Sequence, residues 1–249
     1  MATFLLVHGA CTGGWVWEKV GPLLEANGHK VCAPDMPGLG KDHTPPANVT
    51  LADNVEKVSR LLDKMEEQVV LVGHSLGAIT AAAFSRLHPQ RVSRLVLVSP
   101  ARGYGDPARE LQRQQVRGKR LTTLEQLGIA QMAAQRSSAM LSPRPTAKAL
   151  AWVRWNMARL NQQGYRQAIE LLCGDDLLRH APLPVPCEVH CGEADAITAP
   201  ETCLTLAKAL GASFNLIADA GHASPIEQPH VVAGRLAHAL KESLTGSAQ

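Results

Sequence analysis

The chain has 249 residues, of which 45% are hydrophobic and 19% charged, with 25 Lys and Arg against 22 Asp and Glu for a formal charge of +3. That apolar content with so balanced a charge excludes a disordered chain, and a chain of this length buries enough core to need no disulfide staples. A charge of +3 makes no case for nucleic acid, and no stretch approaches the roughly 20 apolar residues of a membrane span.

The opening MATFLLVHGA has no basic residue before a short apolar run. It reads as a strand and not as a signal peptide, so the cytoplasm is the expected setting. Cysteines stand at 11, 32, 173, 187, 191 and 203, none in a CxxC pair. They are expected as reduced, small buried hydrophobes, with no metal site.

In chain order, apolar runs stand at 4–7 (FLLV), 30–34 (KVCAP), 69–73 (VVLVG), 95–99 (LVLVS), 187–191 (CEVHC) and 214–218 (FNLIA). Several are continuous and not alternating, as in strands covered on both faces of a parallel sheet. Helical patterns separate them. In 51–65 the apolar residues Leu51, Val55, Val58, Leu61, Leu62 and Met65 step by three and four, with Thr50 placed as N-cap and Asp53 in the first turn. Segment 76–88 is Ala-rich, and 228–243 carries Val231, Val232 and Leu236 on one face. This alternation predicts an α/β fold with a doubly wound, mostly parallel sheet of about six strands. Between Pro100 and about residue 186 the strand signal stops. Residues 102–180 read as a helical cap inserted after the fourth strand, with 1–101 and 181–249 forming the core.

The strongest chemical signal is Gly73-His74-Ser75-Leu76-Gly77, between a strand pattern and a helix pattern. A sharp strand-to-helix turn there exposes the Ser75 hydroxyl as a nucleophile. It needs a base, and the base needs an orienting carboxylate. Of ten histidines, His222 follows the last strand and lies at the same sheet edge as Ser75; His8, ending the first strand, is its rival. His74 is expected to point away from the nucleophile, and His190 to pack in the core. Asp195 follows the fifth strand and is the expected acid, with Glu193 as a substitute. The oxyanion donors are expected to be the N–H groups of Leu76 and Ala10, with Gly9 letting the backbone close on the substrate.

The order Ser75, Asp195, His222 resembles the α/β-hydrolase superfamily over the whole length. Residues 6–31, LVHGACTGGWVWEKVGPLLEANGHKV, resemble the plant methylesterase and hydroxynitrile lyase family and related bacterial carboxylesterases. The resemblance implies Ser75 as nucleophile, His222 as base, Asp195 as acid, and Ala10 and Leu76 at the oxyanion hole. The lyase members have Thr in place of Gly9 and Lys in place of Ala196, which favours ester hydrolysis over cyanohydrin cleavage.

The expected activity is therefore a serine carboxylesterase acting on a small to medium ester through an acyl-enzyme, without a cofactor, as a monomer or homodimer. The alternatives are carbon–carbon cleavage or cofactor-free dioxygenation on the same fold, or a ligand-binding receptor. Residues 102–180 hold 11 Arg and 2 Lys against 6 acidic residues, a charge of +7, while the remainder carries −4. A positive cap points to an anionic substrate. Cys11 and Trp155 are expected to join Gly9 in the substrate pocket, with Trp152, Met132, Met140 and Met157 as further candidates.

Overall fold

The computed structural model describes residues 1–41 and 48–245; positions 42–47 and 246–249 of the expected core segments lie outside the described residues. Strands β1 (Thr3–Val7), β2 (Lys30–Cys32), β3 (Val69–His74), β4 (Val92–Val98), β5 (Cys187–Gly192) and β6 (Ser213–Ile217) form one sheet in the order β2-β1-β3-β4-β5-β6. Every neighbouring pair is parallel.

Helices α1 (Gly21–Ala26), α2 (Leu51–Leu62) and α3 (Gly77–Leu87) connect the first four strands, and α7 (Pro200–Leu210) joins β5 to β6. Between β4 and β5 lie α4 (Glu110–Arg136), α5 (Ala147–Met157) and α6 (Gln162–Gly174); α8 (Ser224–Glu227) and α9 (Pro229–Thr245) end the chain's described part.

The continuous apolar strands are explained by two cores, one on each sheet face. Leu5, Val7, Leu71, Leu95 and Leu97 face α2, α3 and α7, through residues such as Val58, Ile79, Phe84 and Leu206. The alternate residues Phe4, Leu6, Val70, Val72, Val96 and Val98 face α1 and α9 through Leu24, Val232 and Leu236. Because side chains alternate between faces along a strand, a strand covered on both sides must be apolar throughout. Val231 departs from the helical stripe expected of α9 and is 41% exposed.

Two strand boundaries differ from the apolar runs by more than one residue. β4 begins at Val92, ahead of the apolar run, because Arg94 is buried inside the sheet and paired with Glu188 of β5 at 2.6 Å. β2 ends at Cys32, before Ala33 and Pro34, and proline has no N–H to continue a ladder. The start of α2 is a capping box: the Asp53 N–H donates to Thr50 Oγ1 (3.3 Å) and the Thr50 N–H to Asp53 Oδ2 (2.7 Å). All six cysteines are free; Cys173, Cys191 and Cys203 are buried, and the others are half-buried. Among the described residues no helix is long and apolar enough to cross a membrane.

Candidate active site

Since all strands run the same way, their C-terminal ends share one edge, and the segments leaving β1, β3, β5 and β6 meet there. Ser75 sits between β3 and α3 with φ +55°, a conformation strained for a residue with a side chain. The turn needs Gly77, because a Cβ there would lie 2.6 Å from the carbonyl oxygens of Val7 and His8. Gly9 is equally constrained: a Cβ would lie 2.8 Å from Ser75 Cβ and 3.3 Å from its Oγ.

His222 Nδ1–H donates to Asp195 Oδ2 at 2.9 Å, with both side chains buried. This bond leaves Nε2 as the unprotonated nitrogen of the neutral ring. The Asp195 carboxylate is fully bound. Its Oδ1 accepts from the N–H groups of Ile197 (2.8 Å) and Thr198 (2.9 Å), and its Oδ2 also accepts from the Thr198 hydroxyl at 2.8 Å. Burial by itself would raise the Asp195 carboxyl, but His222 and these donors outweigh it and hold it well below the usual carboxylate range. Glu193, by contrast, is exposed. The loops bearing Asp195 and His222 are joined directly, the Ala194 N–H donating to the Ala220 carbonyl at 2.9 Å.

The rival histidines are accounted for. His8 Nδ1–H donates to the Gly9 carbonyl (2.8 Å), and its Nε2 accepts from the Met36 N–H (2.9 Å). With both nitrogens engaged and burial pushing its pKa down, His8 stays neutral and holds loops together. His74 is buried, packs edge-on to Trp17, and donates from Nε2 to the His222 carbonyl at 2.8 Å. Burial, and then the neighbouring His222, push it down to about 3. His190 is buried beside Glu188, at 3.3 Å, as a core residue.

Ser75, His222, Gly9, Ala10, Cys11 and Leu76 border one cavity of about 260 Å³. Among the described residues the Ser75 hydroxyl forms no hydrogen bond, and the N–H groups of Ala10 and Leu76 donate to no backbone or side-chain acceptor. Gly9 cannot serve in their place, because its N–H donates to Thr12 Oγ1 at 2.9 Å. Met140 and Met157 also line the cavity, whereas Met132 does not.

Trp155 is a correction. It is 52% exposed, stacks on Trp152 at 5.7 Å and lies under Arg159. The inward face of α5 is taken by Ala149, Val153 and Met157, so a residue two positions from Val153 and Met157 points outward. No three His, Cys, Asp or Glu side chains among the described residues come together as metal ligands.

Two positioning residues escaped sequence reasoning. Thr198 follows Asp195 by three residues, the spacing of a local side-chain-to-backbone turn, which is a usable signal once the acid is known. Glu227 accepts from the Gly221 N–H (2.7 Å) and from the N–H and hydroxyl of Ser142. It ties the His222 loop to the segment between α4 and α5, and a separation of 85 residues leaves no local trace.

The description "Alpha/beta hydrolase family" belongs to a sequence family that matches residues 4–235. The chain belongs to the alpha/beta hydrolase family. Within that family it is 41% identical over 99 residues to salicylic acid-binding protein 2 of Nicotiana tabacum, covering 39% of this chain and 38% of that protein. It is 41% identical over 102 residues to methylesterase 1 of Arabidopsis thaliana, with the same coverage. The matched stretch thus spans about two-fifths of these relatives. An esterase from Thermogutta terrifontis superposes with a TM-score of 0.85 at 24% identity, over 98% of this chain and 90% of that one. An esterase from Exiguobacterium antarcticum superposes at 0.84 with 16% identity, over 97% and 92%. At these identities the likeness is one of fold: an α/β-hydrolase sheet of six parallel strands.

Proposed function

We propose that this α/β-hydrolase is a carboxylic ester hydrolase with Ser75 as nucleophile, His222 as general base and Asp195 as the orienting acid. The observation that carries the reading is the 2.9 Å Asp195–His222 bond opening onto the same cavity as a Ser75 held at φ +55°. The resemblance to plant methylesterases supports the same chemistry.

In the reaction the Ser75 hydroxyl rotates to donate to His222 Nε2 as it attacks the ester carbonyl. The proton passes to His222 and then to the departing alcohol, leaving an acyl group on Ser75. Water, deprotonated by His222, releases the acid and restores the serine. The Ala10 and Leu76 N–H groups stabilise the oxyanion in both halves. Residues 102–180 form the lid, a role supported by Arg120, Arg136, Met140 and Met157 along the cavity wall.

A fluorophosphonate probe is expected to label Ser75, mapped by mass spectrometry, and Ser75→Ala is expected to lower p-nitrophenyl acetate hydrolysis by roughly 10⁴-fold or more. Hydrolysis at the original rate by Ser75→Ala would refute the assignment.

A further inference from the structure

The cavity walls carry Arg102, Arg109, Arg120 and Arg136 and, among the described residues, no Asp or Glu. These arginines are not equivalent. Arg102 is neutralised by Asp106 (2.8 Å) and Asp176 (2.9 Å). Arg109 spends its donors on Gln112 Oε1 and the Gly103 carbonyl and lies over the Tyr104 ring. Arg120 and Arg136 have no carboxylate partner among the described residues, although both are half-buried; Arg120 stands against the Tyr165 hydroxyl. Around Arg120 stand Cys11, Tyr165 and Tyr104, with no carboxylate among them, and burial pushes the Tyr165 phenol up.

On the outside of the same helices the pattern is reversed. Arg113, Arg117 and Arg166 pair with Glu110, Glu170 and Glu125. Arg113, Arg117 and Arg166 are thus matched by protein carboxylates, whereas Arg120 and Arg136 toward the cavity are not. A half-buried guanidinium facing Met140, Met157 and Leu172 is costly unless an anion joins it.

The backbone of α4 brings the pair together. On a straight helix, residues sixteen apart would be about 24 Å apart along the axis, too far to wall one small cavity. Gly128, midway between them, has φ 65° and ψ 176°. It breaks α4 into two segments, and both arginines face the same space.

We propose that the ester received by this cavity carries a second, free carboxylate, and that Arg120 and Arg136 bind it. This rests on the reading of Ser75 as an ester-cleaving nucleophile. A planar carboxylate matches the guanidinium fork bidentately. The substrate class is therefore the half-ester of a short dicarboxylic acid.

The test compares kcat/KM for monomethyl glutarate and methyl pentanoate, which differ by a carboxylate in place of a methyl group. The wild type is expected to favour the half-ester by roughly tenfold or more, equivalent to about 1.4 kcal/mol, and added salt is expected to erode the preference. Arg120→Met and Arg136→Met should bring the ratio toward one, while Arg144→Met, on an exposed turn, should keep it. Calorimetric titration with glutarate supplies a readout without turnover: binding by wild type, weakened in Arg120→Met, Arg136→Met and the fork-deleting Arg120→Lys. A wild-type ratio at or below one, or a ratio and glutarate affinity that the arginine variants leave unchanged, would overturn the proposal. Glutarate binding with neither ester cleaved would instead leave the carboxylate site standing and remove the esterase reading.

Discussion

His74 Nε2 donates a hydrogen bond to the backbone carbonyl of His222 at 2.8 Å, and the two rings lie 4.9 Å apart. The residue beside Ser75 thus fixes the loop that carries His222, across 148 residues of sequence. His74→Phe retains an aromatic ring against Trp17 but leaves the buried His222 carbonyl unpaired, at a cost of about 1–3 kcal/mol. We expect kcat to fall roughly tenfold with KM little changed, and His74→Gln, which restores an N–H donor, to recover part of the loss. Steady-state kinetics on p-nitrophenyl acetate reads both.

The same residue makes stability depend on pH. Burial holds His74 at about 3 in the folded chain against 6.5 for an ordinary histidine, so the unfolded chain binds the extra proton between those values. The contribution is fully present above about pH 6.5 and is lost as pH falls toward 3, at about 1.4 kcal/mol per pH unit. His8 is shifted in the same direction and adds to the slope. The lowered Asp195 carboxyl adds its own loss only at more acidic pH. Urea midpoints at pH 7 and 5 should show the decline, and His74→Phe should flatten it.

Gly9→Ala places a methyl carbon 2.8 Å from Ser75 Cβ, so Ser75, the proposed nucleophile, must move. A misplacement of this kind costs about 10²-fold in kcat, with little effect on the thermal midpoint because the collision is relieved at the cavity edge. Gly118→Ala is the control: nothing lies within 4 Å of that position in α4, and Ala there should stabilise by about 0.5–1 kcal/mol.

Thr198→Val removes the hydroxyl from Asp195 Oδ2 and from the Ser99 carbonyl, 3.1 Å away, but keeps both backbone donors to Oδ1. The carboxylate loses one of its donors, so its pKa rises and kcat drops by roughly tenfold. Thr198→Ser should remain near the wild-type rate. An acid limb of the kcat/KM profile unchanged in Thr198→Val would count against this role.

Glu227→Ala leaves the N–H groups of Gly221 and Ser142 without their shared carboxylate. Charge-assisted bonds of this type contribute about 1.5–3 kcal/mol. We expect a lower thermal midpoint and faster amide exchange around residues 219–223, measured by hydrogen exchange, with a parallel fall in kcat.

Much of the architecture could be read locally. Strands covered on both faces are apolar at nearly every position, so continuous runs marked β1, β3 and most of β4, and the Thr50–Asp53 pair marked the start of α2. The Ser75 turn was legible because a strand, Gly77 and an Ala-rich helix leave a serine only one way through. Asp195 and His222 were legible because parallel strands bring their C-terminal ends to one edge. The start of β4 was hidden by Arg94, whose charge is tolerated only because Glu188 arrives from another strand. Trp155 was misplaced because composition shows that α5 has an apolar face but not which residues occupy it.

Sequence by itself determined the fold class, the sheet edge and the three residues proposed for chemistry, since each depends on periodicity or on position after a strand. Tertiary structure decided which histidine stands against a carboxylate at the cavity, because only contacts show both His8 nitrogens engaged with Gly9 and Met36 and His222 bonded to Asp195. It also turned a charge of +7 spread along residues 102–180 into two guanidinium groups that face a cavity with no carboxylate partner among the described residues. Charge is counted along a chain, but its compensation depends on which carboxylates the fold brings within reach.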